Sequence, residues 1–234
     1  MMRYFIAFCF LITGLTSYSQ MIDAHLWTGV GLNTSLNKKI ELSYKTQARL
    51  YKNASTLRVY YNQLGVSYKV AKGFKVGLAY RFSRKKKQDT YFASENRFVF
   101  DASYGYKVKA IGTKFTARAR FQNGFDRLKP INNAIYPNIT NKFRLKLTAK
   151  YKYKNFKRVQ PYISYEFFKS LDSQPVEFSI AQRFSLGLFL DLPYKNELKL
   201  AYIYQKNNGN VIEIRHIYMI QYAYNLGNLL KKKK

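Results

Sequence analysis

The sequence predicts an all-β fold: an antiparallel transmembrane β-barrel of the bacterial outer membrane, with about twelve strands and ten as the alternative. Three observations predict it. The chain opens with an export signal, its side chains alternate apolar and polar with period two almost from end to end, and tyrosines gather near the ends of the alternating segments. Period two is the signature of a strand, because successive side chains of a pleated backbone point to opposite faces.

The first residues set the compartment. Arg3 supplies a positive start, residues 4–15 (YFIAFCFLITGL) form a short apolar run, and Ser17 and Ser19 are small residues two apart. That arrangement suits cleavage after residue 19, or one residue later, and the apolar run is shorter than a membrane span of roughly 20 residues. The expected organisation is a signal peptide over 1–19, a barrel domain over 20–225 and a basic tail over 226–234. The only cysteine, Cys9, lies inside the apolar run after Phe8, which does not fit a lipoprotein signal. The mature chain then has no disulfide, no thiolate nucleophile and no cysteine metal ligand.

The alternation is clearest over 142–153, where Phe143, Leu145, Leu147, Ala149, Tyr151 and Tyr153 interleave with Lys142, Arg144, Lys146, Thr148, Lys150 and Lys152. Residues 40–50 set Ile40, Leu42, Tyr44, Ala48 and Leu50 against Glu41, Ser43, Lys45, Gln47 and Arg49. The same rhythm runs through 74–83, 97–108 and 114–122. Further strands are expected over 24–33, 56–70, 157–168, 175–191, 195–206 and 211–225. A helix would spread these charges around its circumference. No later segment reads as a membrane-spanning helix, which leaves a barrel open, since barrel strands are only half apolar.

Period alone does not separate a soluble sandwich, with its oily face inward, from a membrane barrel, with its oily face toward lipid. Export, strand lengths above the globular norm of roughly 5–6 residues, and the tyrosines favour the membrane. So does the expected alternation of short turns (37–39, 71–73, 109–112, 153–155, 193–196) with longer polar loops (51–56, 84–95, 123–138, 169–175, 205–210). The count of segments is eleven, whereas single-chain bacterial barrels have an even number. Residues 175–192 and the start near Met21 are the places where a strand is most easily miscounted.

The phrases LWTGVGLNTSLNKKIELSYKTQARL (26–50), NQLGVSYKVAKGFKVGLAYRF (62–82) and ENRFVFDASYGYKV (95–108) resemble the uncharacterised bacterial proteins grouped as domain of unknown function 2490. The likeness runs over nearly the whole mature chain and consists of strand-and-turn phrases. It implies an outer-membrane barrel and assigns no residue a role.

The chemistry-bearing residues are sparse. The mature chain has two histidines, His25 and His216, with no serine beside His216 to complete a nucleophile–base pair. No catalytic residue, cofactor site or metal site is therefore expected. The acidic residues of lumen parity, Glu41, Asp101, Glu166, Glu177, Glu197 and Glu213, are expected to pair with basic neighbours.

Charge carries the functional reading. The formal net charge is +29. If the polar face lines the lumen, Lys45, Arg49, Arg81, Arg97, Arg118, Arg120, Arg144, Lys146, Arg183 and Arg215 point inward, together with Lys75, Lys107, Lys114, Lys142, Lys150 and Lys199. Rings of Arg and Lys favour anions, so a narrow anion-preferring pore is one expectation. A side-chain-filled barrel serving as a structural surface protein is the other. A lipid-modifying barrel enzyme and a secreted basic β-sandwich that binds polyanions are the alternatives from other classes. The expected partners are outer-membrane lipids including lipopolysaccharide, which the loop run RKKK (84–87) would meet, and small anionic solutes. Nucleic acid is not expected, and a monomer is favoured over an oligomer. The terminal KKKK (231–234) follows Tyr222 and Tyr224, a departure from chains that end on an aromatic residue.

Overall fold

The computed structural model describes residues 23–87, 91–131, 134–152, 158–172, 180–208 and 212–228. The expected signal peptide, Glu177 and the terminal lysines lie outside them. The described residues form eleven strands: β1 (Asp23–Ser35), β2 (Ile40–Tyr51), β3 (Thr56–Ala71), β4 (Phe74–Lys87), β5 (Tyr91–Val108), β6 (Thr113–Ile131), β7 (Ala134–Tyr151), β8 (Val159–Ser170), β9 (Ile180–Leu192), β10 (Asn196–Asn208) and β11 (Glu213–Asn228). Each pairs antiparallel with the next, and β11 returns beside β1 to close the barrel.

Eleven lies within the ten-to-twelve range that the alternation predicts. The parity problem is resolved at the seam rather than by another strand. An odd number of up-and-down strands brings the first and last into the same direction, and β1 and β11 pair parallel, with Asp23 opposite Arg215 and Val30 opposite Tyr222. The fold is thus antiparallel everywhere except at this seam. A sandwich would need two facing sheets; these strands form one closed sheet.

Three boundaries differ from the sequence reading. Residues 84–87 and 91–95 are not loop but the ends of β4 and β5, paired with Arg84 opposite Ser94 and Lys86 opposite Phe92. Strands β6 and β7 likewise run through most of the expected loop 123–138. Outside a bilayer a strand needs no apolar face, so these polar hairpins looked like loops although their backbone is satisfied by pairing. The last strand continues to Asn228, past the expected boundary at 225.

Local chemistry fixes the tight turns. At the β1–β2 turn, Asn37 Oδ1 accepts from the backbone N–H groups of Lys39 and Ile40, both at 2.8 Å, an Asx turn. At the β3–β4 turn, Gly73 has φ 83°, and a Cβ there would lie 2.6 Å from the Gly105 carbonyl oxygen. Only glycine meets both demands.

The two faces of the sheet have opposite character. Outward positions carry large apolar side chains in the open: Leu64 is 62% exposed and Leu186 54%. Inward positions include Gln47, Arg81, Gln122, Glu166, Ser185 and Gln205, all buried. This is the inverse of a water-soluble protein, whose buried groups are chiefly apolar.

Candidate lumen site

Alternation along the strands sends all ten of the singled-out basic residues to the inner wall, and the register decides which of them meet. Across neighbouring strands, Ser103, Arg118, Lys146, Glu166, Arg183, Gln205, Arg215 and Asp23 stand side by side from β5 to β11 and over the seam to β1. A belt of charge thus crosses most of the barrel at one register level.

Glu166 is the hub of that belt. Its side chain is 2% exposed. Its Oε1 accepts from Arg144 Nη2 at 2.7 Å, from Arg144 Nε at 3.2 Å and from Arg118 Nη2 at 3.0 Å, while Oε2 accepts from Arg183 Nη1 at 3.2 Å. Lys146 flanks Glu166 and Arg118 in the two adjoining ladders. One carboxylate therefore serves three guanidinium groups. A buried anion without such partners costs several kcal/mol, so this convergence fixes the strand interior.

A second group spans β2 to β4. Arg81 donates from Nε and Nη2 to Gln63 Oε1 at 3.0 and 2.6 Å. Arg49 Nε and the Tyr61 hydroxyl both donate to Gln47 Oε1, at 3.0 and 2.8 Å. Lys45 reaches past β1 to Gln221 Oε1 on β11 at 2.9 Å. These cations meet neutral amides rather than acids. Arg97 contacts Glu95, Arg120 contacts Asp101, and Arg215 donates to both oxygens of Glu213 at 2.5 Å.

Aromatic faces supply the rest of the cation environment. The Arg49 guanidinium lies 4.0 Å from the Trp27 ring centre and that of Arg183 4.9 Å from it, so Trp27 joins the two groups. Arg81 stacks on Tyr61 at 4.0 Å, Arg144 on Phe168 at 4.4 Å, and Lys150 and Lys199 on Phe189 at 3.8 and 4.8 Å. Each such contact is worth about 0.5–2 kcal/mol, more when water is excluded.

Sequence reasoning missed the apolar part of the lumen. Trp27, Tyr162, Ala201, Ile203, Ile217 and Met219 form a buried inner cluster on the seam side, with Phe189 packed against it. The signal was present: residues 201–204 (AYIY) and 217–220 (IYMI) are apolar at both parities, which means both faces are dry. The inner wall is consequently mixed: an apolar cluster drawn from β1 and β8–β11 lies among charged residues of the same strands, such as Lys199 on β10 and Arg215 on β11.

His216 faces outward, as its parity predicts, with its Nδ1 2.5 Å from the Tyr202 hydroxyl and its ring against Tyr204. His25 faces inward beside Asp23, Nε2 to Oδ2 3.2 Å. Among the described residues no three His, Cys, Asp or Glu side chains come together as a metal site. On the outer wall, two apolar grooves of about 380 and 500 Å³ run between strands, one over Ala117 and Ala149, the other lined by Leu64, Val66 and Leu78.

No curated protein matches the chain. Among solved structures, the crystal structure of the β domain of the Bordetella autotransporter BrkA is similar at a TM-score of 0.49 and 14% identity, over 76% of this chain and 80% of that one. The family described as "Protein of unknown function (DUF2490)" matches residues 24–214, most of the chain and all but one of its strands in full or nearly so, and this protein belongs to that family.

Proposed function

We propose that the chain is an outer-membrane barrel whose lumen is a narrow, anion-preferring passage. The inversion of the sheet carries the membrane part: exposed Leu, Phe, Val and Ile form the outside, while charge is buried inside. In water this surface would aggregate; in hydrocarbon it is the matched solvent, and the outer grooves suit acyl chains. Tyrosines with polar tips border the apolar band. Tyr44 and Tyr80 donate to the outward Asn62 and Asn96 near one edge, and Tyr222 donates to Asn196 near the other.

The anion preference rests on the imbalance within the lumen, where three guanidinium groups share Glu166 and where Lys45, Arg49 and Arg81 meet amides for want of carboxylates. Such a surplus raises the local concentration of anions. The basic end of the β4–β5 hairpin, with Arg84, Lys85 and Lys86, would face lipopolysaccharide phosphates. Closure leaves no open sheet edge, which favours a monomer.

Planar-bilayer recordings in a salt gradient test the reading. The expected result is a small current whose reversal potential reports anion preference; cation preference would refute it. The second reading, a closed structural barrel, draws on the burial of Tyr61, Val99, Gln122 and Ile217 inside the lumen. A folded barrel that passes no current would leave that one standing.

A further inference from the structure

The Glu166 hub is more than a salt bridge that holds the wall together. Three guanidinium groups and the flanking Lys146 surround a single carboxylate, so the site retains a surplus of positive charge after Glu166 is counted. Two buried donors beside it have no hydrogen-bond partner among the described residues: Arg118 Nε and Gln122 Nε2. Gln122 is tied to the hub, because its Oε1 accepts from Arg144 Nη1 at 3.2 Å. A buried N–H without an acceptor is destabilising, and a charged one more so. The cluster thus has both unneutralised charge and unused donors, and both ask for an oxygen-bearing anion.

We infer that the lumen holds a binding site for a small oxyanion, of the phosphate or sulfate class, built by Arg118, Arg144, Lys146 and Gln122, with Glu166 as a tethered resident anion that the ligand competes against. The inference deepens the anion-passage reading and shares its membrane orientation, but it makes a separate claim: saturable, selective binding rather than mere electrostatic preference. Guanidinium forks match the geometry of a tetrahedral oxyanion two bonds at a time, and chloride has no such geometry to match. Glu166 keeps the guanidinium groups spread and partly satisfied when the site holds no ligand. Its charge also lowers affinity, so a bound ion can leave again, as passage requires.

The only tryptophan reports on this site. Arg183 donates to Glu166 and lies against the Trp27 ring, so an anion that draws the arginines from Glu166 moves a cation on the indole face. The full chain, folded in detergent, is titrated with inorganic phosphate at constant ionic strength while Trp27 emission is followed. A saturable change is expected, displaced by sulfate and absent with chloride. Arg118→Gln is expected to weaken phosphate at least about tenfold, and Glu166 stays paired with Arg144 and Arg183 in that variant. Glu166→Gln is expected to tighten it by about as much, and where that variant does not fold, Lys146→Gln is read instead and is expected to weaken it. Equal responses to phosphate and chloride overturn the site, as does Arg118→Gln binding like the parent. Anion-selective current without saturable binding would sink the site and leave the passage; saturable binding without current would do the reverse.

Discussion

Asp101 and Arg120 face each other across the β5–β6 ladder and close a two-point ion pair, with Arg120 Nε 2.6 Å from Asp101 Oδ1 and Nη2 2.7 Å from Oδ2. On its other side Arg120 stands opposite Arg144. Asp101 is therefore what permits two arginines to sit side by side on the inner wall. Asp101→Asn should cost about 2–3 kcal/mol, less than a fully enclosed pair because the carboxylate is partly exposed. Urea unfolding in lipid vesicles measures it, and Arg120→Gln added to Asp101→Asn should recover part of the loss. No recovery would mean that the pair is not what holds Arg120.

The membrane reading makes the outer wall intolerant of charge. Leu78 projects outward from β4 between Val66 and Phe100 in the adjoining ladders and is 45% exposed. Leu78→Arg should destabilise the vesicle-embedded barrel by about 2–4 kcal/mol, the range for the lipid face near mid-depth. In a protein surrounded by water the same exposed substitution would change stability little, so a near-zero effect argues against a lipid-facing wall.

Gly187 stands opposite Tyr162 across the β8–β9 ladder, on the inner face. A Cβ there would meet the Leu200 carbonyl oxygen at 2.3 Å and the Tyr162 ring at 2.8 Å. The Tyr162 ring covers this glycine and packs on Phe189 at 4.9 Å between ring centres. Gly187→Ala is expected to cost about 1–3 kcal/mol through overpacking, read as a lowered midpoint of heat-dependent gel migration. An unchanged midpoint would show that the β10 backbone at Leu200 and the Tyr162 ring both give way freely.

The outward His216–Tyr202 contact is expected to be an interfacial hydrogen bond rather than the start of a catalytic group. Tyr202→Phe should cost about 0.5–1.5 kcal/mol of stability. Mass spectrometry of lipids incubated with the barrel should show no cleavage for the parent chain or for His216→Ala. Hydrolysis by the parent that disappears in His216→Ala would restore the lipid-modifying alternative.

Alternation made the faces legible residue by residue. Within β2, Lys45 and Arg49 take the opposite parity from Leu42; within β6, Arg118 and Arg120 take the opposite parity from Phe115 and Phe121; within β7, Arg144 takes the opposite parity from Leu145 and Leu147, and a pleated backbone can only send the two sets of each strand apart. The same signal failed where its premise failed. Beyond the apolar band, β4–β5 and β6–β7 continue as polar hairpins, because backbone pairing needs no oily face. At the seam, Ile217 and Met219 break the polar parity because the inner wall there is packed.

What the sequence determined by itself is the period-two division into an apolar and a charged face, since that division is a local property of each strand. The tertiary structure alone decided that eleven strands close through a parallel seam, and that Arg118, Arg144 and Arg183 converge on Glu166. The physical reason is that such contacts depend on stagger and closure. Arg118 and Glu166 are 48 residues apart, Lys45 and Gln221 are 176 apart, and no local pattern encodes the stagger that brings each pair together across one intervening strand.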